Sequence, residues 1–179
     1  MRKLVLKMNV SLDGFVGTDS GSVDWIFPSL SDDAAAWLAG TTLWQAGTHI
    51  MGRTAYLGMA AHWPTSTEVF AAPMNEIPKV VFSRTLQEAD WAGTRIADGD
   101  LATEIARLKE EPGKDILAHG GASFARALSS LRLVDEYRLI VHPVALGTGL
   151  PLFADHLDLT LLSSTPFTGG TAAHVYRPA

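Results

Sequence analysis

The chain contains no cysteine. That excludes disulfides, thiolate metal sites and cysteine nucleophiles, and it fits a cytoplasmic protein. Long apolar runs are also missing. After Met1-Arg2-Lys3 only about five apolar-rich positions precede Asn9, too few for a signal-peptide core or a membrane span. Positive charge is scarce: 14 Lys and Arg against 19 Asp and Glu give a net charge of −5. The basic residues are scattered, so neither nucleic acid nor a membrane surface is an expected partner. None of the 6 histidines shows H-x-x-x-H or H-E-x-x-H spacing, so no metal site is expected. G-x-G-x-x-G and G-x-x-x-x-G-K-[ST] are both absent, which disfavours a standard Rossmann dehydrogenase or a P-loop enzyme. No repeat, low-complexity segment or linker divides the chain, and residues 1–179 read as a single domain.

What is present is a regular alternation. Leu4 to Val10 reads as a strand buried on most of both faces, followed by a Gly- and Asp-rich loop from Asp13 to Asp24. Ser31-Asp32-Asp33 reads as the cap of a helix carrying Trp37, Leu38 and Trp44 and stopping by Gly47. Strands are expected at His49–Met51, Lys79–Ser83, Thr94–Ile96 and Ile116–Ala118. Helices are expected at Thr54–Ala60, after Asp100, and on a face made by Phe124, Leu128 and Leu131. Tyr137–Leu146, Leu157–Ser164 and Ala172–Arg177 have no helix between them and should pair partly as hairpins. The fold class is therefore α/β, three layers with a central mixed, mostly parallel sheet and antiparallel C-terminal strands. Ligands in such folds gather at the carboxyl ends of the strands.

Three strand exits are suited to phosphate. Gly52-Arg53-Thr54 offers a glycine, a planar cation and a hydroxyl at a helix start; Ser83-Arg84-Thr85 sets a cation between two hydroxyls; Gly120-Gly121-Ala122-Ser123-Phe124 brings bare backbone N–H groups to a helix N-terminus. Together they suggest a long, multiply phosphorylated ligand such as a dinucleotide. The last exit has a rival reading as a nucleophile elbow, with Ser123 as nucleophile and Asp158 and His174 following in triad order. Against it, Ala125 stands where the elbow's final glycine should be. His119 and His142 read as core or strand-end residues, and Gly147 to Pro151 as a wide turn bordering a pocket.

The ordered set of motifs resembles the dihydrofolate reductase-like superfamily, in the bacterial branch similar to the reductase domain of the riboflavin-pathway deaminase/reductase. It comprises Ser11-Leu12-Asp13-Gly14-Phe15-Val16-Gly17, Met51-Gly52-Arg53-Thr54, Val81-Phe82-Ser83-Arg84-Thr85, Gly120 to Ser123, Leu133-Val134-Asp135-Glu136 and Pro143 to Phe153. The resemblance covers essentially the whole chain and implies NADPH as cofactor. By position, Val16 and Gly17 would touch the nicotinamide end and Gly52, Arg53 and Thr54 the adenosine phosphates. Ser83 and Arg84 would hold the 2′-phosphate region. Gly120, Gly121, Ala122, Ser123 and Phe124 would cover the pyrophosphate, with a cis Gly120–Gly121 peptide. The implied activity is hydride transfer to a pterin-like, diaminopyrimidine-like or carbonyl substrate lying beside Asn9 and Trp25. Asp32, once buried, would serve as proton donor or substrate anchor. The Asp13–Asp24 loop would act as a lid, and a homodimer is the expected assembly. A small serine hydrolase and a non-catalytic nucleotide-binding member of the fold stand as the alternatives.

Overall fold

The computed structural model describes residues 1–179. Ten strands form: β1 (Leu4–Ser11), β2 (Phe15–Gly17), β3 (Ala46–Gly52), β4 (Lys79–Phe82), β5 (Thr94–Ala97), β6 (Asp115–Ala118), β7 (Glu136–His142), β8 (Leu150–Pro151), β9 (Leu159–Pro166) and β10 (Ala172–Pro178). Eight of them make one sheet in the order β5-β4-β3-β6-β1-β7-β10-β9. The six strands from β5 to β7 are mutually parallel, and β10 runs antiparallel to both of its neighbours. The helices are α1 (Asp32–Trp37), α2 (Arg53–His62), α3 (Ala71–Glu76), α4 (Leu101–Glu110) and α5 (Ala122–Ser130). The expected mixed α/β architecture is what forms.

Strand alternation divides the core into two layers. Leu4, Leu6, Met8 and Val10 of β1 point into a cluster with Ile50, Ile105, Leu108, Ala125 and Leu128, which packs α4 and α5 against one face. Val5 lies with Leu43, Met51, Tyr56, Met74 and Leu117 on the other, beneath α2 and α3. The α4 boundary follows its chemistry: Asp100 accepts the Thr103 N–H at 2.9 Å as the N-cap, and Ile105 and Leu108 are buried.

Several expectations need correction. The helix after Ser31 runs on from α1 into a widened π-type segment over Leu38–Leu43 with Trp44 as its C-cap, and β3 begins earlier than expected, at Ala46. Ser31 does not cap through its side chain; its hydroxyl donates to Asp33 instead. Leu131 leaves the apolar face of α5, which ends at Ser130. Arg132 then turns into the left-handed region at φ 55°, and Leu131 is 52% exposed.

The Asp13–Asp24 segment is also more tied down than a free loop. Phe15–Gly17 pairs with Leu150–Pro151 as a small antiparallel sheet. The Asp13 carboxylate accepts hydrogen bonds from Ser11 Oγ (2.7 Å) and from the N–H groups of Leu146 (3.1 Å) and Gly147 (2.8 Å), which hold it down to about 2. The tip is tied as well, since Thr148 Oγ1 donates to Asp19 at 2.7 Å and the Ser22 N–H donates to Thr18 Oγ1 at 3.0 Å. The turn expected at Gly147–Pro151 thus closes on the first loop. Gly149 is required there: it has φ +149°, and a Cβ would stand 2.3 Å from the Gly17 carbonyl oxygen.

Candidate functional site

Parallel strands deliver their exits to one edge, and here three exits meet. β3 ends in Gly52, the N-cap of α2, and β6 is followed by His119 and then Gly120–Gly121, where Gly121 is the N-cap of α5. A Cβ on Gly52 would lie 3.1 Å from Phe124 Cβ, so the α2 start touches the α5 start. The Phe124 ring packs on Phe82, at the end of β4, with centroids 5.3 Å apart. A Cβ on Gly120 would come within 2.8 Å of Met8 Cε, so the end of that thioether would have to move; Gly121 faces open space. The Gly120–Gly121 peptide is cis.

Neither helix N-terminus is covered by a capping side chain, so the first N–H groups of α2 and α5 remain available as donors. Arg53, Thr54, Arg84 and Ser123 are all exposed around this edge. Arg84 is near enough to Asp100 to help lower its carboxyl. Ser83 Oγ accepts from the Thr85 and Leu86 N–H groups (3.2 and 3.0 Å), which fixes the turn and leaves its O–H free to donate. Val16 and Gly17 are buried within β2 of the β2–β8 pair, which follows the end of β1. The twelve residues from Val16 to Phe124 that sequence reasoning singled out as cofactor-binding thus lie on the strand ends, loops and helix starts of one edge. Their chemistry, two open helix N-termini with two exposed arginines, fits a dinucleotide carrying several phosphates.

Beside this edge a polar row crosses the α1 side of the sheet. Lys7, Asn9 and Ser11 share one face of β1, and register sets Ser11 opposite His142 of β7. His142 is fully buried. Its Nδ1 lies 2.8 Å from Ser29 Oγ, and its Nε2 lies 3.0 Å from Asn9 Oδ1. Burial, with help from Lys7, pushes His142 down to about 4, so the ring is neutral. The consistent arrangement has Ser29 donating to Nδ1 and His142 Nε2–H donating to Asn9, which leaves the Asn9 amide N–H groups as free donors. Trp25 stands edge-on to His142 at 5.4 Å, and its indole N–H is buried without a partner. Lys7 Nζ makes no hydrogen bond within the protein, and burial pushes it down to about 8.

Asn9 and Trp25 both lie against His142, and Trp25 sits on a short 3-10 helix, Asp24–Ser29. The structure does not support Asp32 as the acid. Asp32 is exposed in the first turn of α1, so the burial that role required is missing. Its neighbour Asp33 is committed elsewhere, accepting from Ser31 Oγ, the Ala34 N–H and both donors of Thr168, which hold it down to about 2. Sequence reasoning missed Lys7 and misjudged His142, which is buried but belongs to the polar row. The triad reading of Ser123 also fails geometrically. Asp158 pairs with His156 at 3.1 Å, His174 Nδ1 is buried without a partner, and Ser123 bonds no histidine. A cavity of about 320 Å³ lined by Thr48, Lys79, Thr94, Arg95 and Glu111 lies at the opposite, amino edge of β3–β5, away from the three exits. No helix is long and apolar enough to cross a membrane.

Residues 2–173 match the RibD C-terminal domain family. The chain belongs to that family. Among its relatives is YyaP of Bacillus subtilis, an uncharacterized protein, 34% identical over 185 residues and covering 98% of this chain and 95% of YyaP. The riboflavin biosynthesis protein RibD of Corynebacterium ammoniagenes is 26% identical over 88% of this chain, which spans only 48% of that longer protein. In fold, this RibD C-terminal-type domain is similar to a protein from Shewanella sp. PV-4 provisionally assigned to riboflavin biosynthesis, with a TM-score of 0.80 at 21% identity over 99% of both chains. It is also similar to the diaminohydroxyphosphoribosylaminopyrimidine deaminase/5-amino-6-(5-phosphoribosylamino)uracil reductase of Thermotoga maritima. That TM-score is 0.70 at 16% identity, over 99% of this chain and 57% of the other.

Proposed function

We propose that this RibD C-terminal-type domain is an NADPH-dependent reductase acting on a small nitrogen heterocycle that carries ring carbonyls. The observation that carries this reading is the pairing of two chemistries on adjacent ground. The three strand exits present phosphate-binding donors, and the polar row next to them presents Lys7 Nζ, the Asn9 amide N–H groups and the Trp25 indole N–H, none of which has a protein partner. The Trp25 indole N–H is buried and unsatisfied, which is costly, and the half-buried Lys7 and Asn9 donors beside it are open to acceptors on a ligand. A ring with carbonyl oxygens and imine-type nitrogens supplies acceptors; a cationic ring would not.

In this reading Arg53, Thr54 and the α2 start bind the adenosine phosphates. Ser83 and Arg84 bind the 2′-phosphate, Gly120 to Phe124 cover the pyrophosphate, and Val16 and Gly17 meet the nicotinamide. Bound there, NADPH supplies the hydride. Lys7 holds the proton that must accompany it, at the heteroatom next to the reduced carbon; a group near 8 is well matched to that task at neutral pH. Asn9 orients the ring, with its own amide held by His142 and Ser29. Trp25 covers the ring from solvent. The fold contributes alignment of donor and acceptor carbons. Two copies pair as a homodimer through the edge strand β9, where Leu161 and Leu162 are each 51% exposed.

The test is oxidation of NADPH, followed by its absorbance, against a panel of pyrimidine, pterin and simple carbonyl compounds. Turnover with an oxo-heterocycle is expected. Saturable NADPH binding with no turnover on any member would instead favour the non-catalytic alternative.

A further inference from the structure

Two buried histidines stand behind the polar row, and the roles assigned above leave them unused. His49 on β3 is 0% exposed, and His119, at the end of β6, is 4% exposed. Their ring centroids are 4.7 Å apart. His49 Nε2 lies 3.2 Å from the Pro73 carbonyl oxygen, and His49 Nδ1 lies 2.8 Å from His119 Nε2. A carbonyl can only accept, so His49 carries a proton on Nε2. Burial keeps both rings neutral. It pushes His49 down to about 4, with Lys79 adding to the effect, and His119 well below its ordinary value, with His49 and Lys7 adding. A neutral His49 with Nε2–H has only a lone pair at Nδ1, so His119 must be the donor between them. The proton of His119 is thereby fixed on Nε2, and its Nδ1 is left as a lone pair that meets no other protein group.

Sheet register says where that lone pair belongs. Val5 of β1 sits beside Leu117 of β6, so two residues on, Lys7 follows beside His119 on the same face. The face therefore carries an acceptor on His119 next to the donors of Lys7 and Asn9. Without His49 the imidazole of His119 would be free to take either tautomer, and one of the two would turn this acceptor into a donor.

We propose that His49 is a positioning residue that fixes His119 as the Nε2–H tautomer, so that His119 Nδ1 reads a ring N–H and the site selects heterocycles with a lactam edge, N–H beside C=O. This rests on the heterocycle reading of the site. His119 accepts from the ring nitrogen while Lys7 donates to the neighbouring oxygen. A ligand methylated at that nitrogen leaves His119 unpaired and adds a clash, which discriminates against it by roughly tenfold to hundredfold.

The first measurement needs no ligand. In protein labelled with ¹⁵N-histidine, long-range ¹H–¹⁵N spectra at pH 7 are expected to show His49 and His119 neutral, each with Nε2 protonated and Nδ1 bare. A protonated Nδ1 on His119 overturns the proposal. The second uses calorimetric binding of a 2,4-dioxopyrimidine and its N3-methyl derivative in the presence of NADPH. The wild type is expected to favour the N–H ring at least tenfold. His49→Gln keeps an oxygen acceptor for His119 and should retain that preference, whereas His49→Leu should reduce it severalfold, to what the bulk of the methyl group alone sets. An unchanged preference in His49→Leu overturns the proposal. If the leucine variant does not fold, the wild-type tautomers and the glutamine variant decide the matter. If neither ring binds, the heterocycle reading fails and the ligand selection with it, while the ligand-free spectrum still judges the role of His49 on its own.

Discussion

Acidification should unfold this protein earlier than its carboxylates alone would require. His49 and His142 are both fully buried, and both are pushed down to about 4 from an ordinary 6.5, chiefly by burial. A histidine whose folded value is depressed binds fewer protons than it does in the unfolded chain. Its stabilising contribution is therefore complete above about pH 6.5 and is lost as the pH falls toward 4. At one pKa unit per roughly 1.4 kcal/mol, each of the two loses about 2 kcal/mol by pH 5. The pair therefore removes about 4 kcal/mol, a large share of the roughly 5–15 kcal/mol that holds a domain together. His119, held well below its ordinary value by burial, acts in the same direction. Asp13 and Asp33, held down to about 2, titrate below this window and do not confuse it. Urea unfolding followed by tryptophan fluorescence at pH 7, 6, 5 and 4.5 reads the effect as a falling midpoint. His142→Gln should flatten the dependence by about 2 kcal/mol between pH 7 and 5. A midpoint constant from pH 7 to 5 in the wild type would refute the reasoning.

The other predictions concern the cofactor edge and the polar row. Gly149→Ala places a Cβ 2.3 Å from the Gly17 carbonyl at a positive φ, so the β2–β8 pair must separate; a loss of about 2–4 kcal/mol in chemical denaturation is expected, together with weaker NADPH binding. Arg84→Ala should weaken NADPH about tenfold while leaving NADH within twofold, read by fluorescence titration, because only the former carries the 2′-phosphate. Lys7→Met should lower kcat about a hundredfold or more with NADPH affinity preserved, since its ammonium faces the substrate and not the phosphate exits. That loss should appear in steady-state kinetics as a kcat effect.

The strand exits were legible in the sequence because they are local chemistry. A glycine, an arginine and a hydroxyl directly after an apolar run mark a turn at a helix start wherever the strand ends up. The polar row was not legible, because it depends on register between strands far apart in the chain. Lys7 looks like a lone charge in an apolar strand until Val5 is known to sit beside Leu117, and His142 looks like core until Ser11 is known to face it. The β2–β8 pair was hidden for the same reason: three residues meet two from more than a hundred positions later, too short for any periodicity. Asp32 misled because a helix-capping pattern, Ser-Asp-Asp, says where acids stand but nothing about their burial. Leu131 misled because spacing alone continued the helix past the point where Arg132 takes a left-handed turn.

In the proposed function the three exits form one cofactor site serving the polar row. Titration of purified protein with NADPH, read by quenching of tryptophan fluorescence and by thermal shift, tests it most directly. Saturable binding is expected, weakened by Arg53→Ala and by Arg84→Ala but not by Lys7→Met. No binding at millimolar NADPH, or binding indifferent to both arginines, would contradict it.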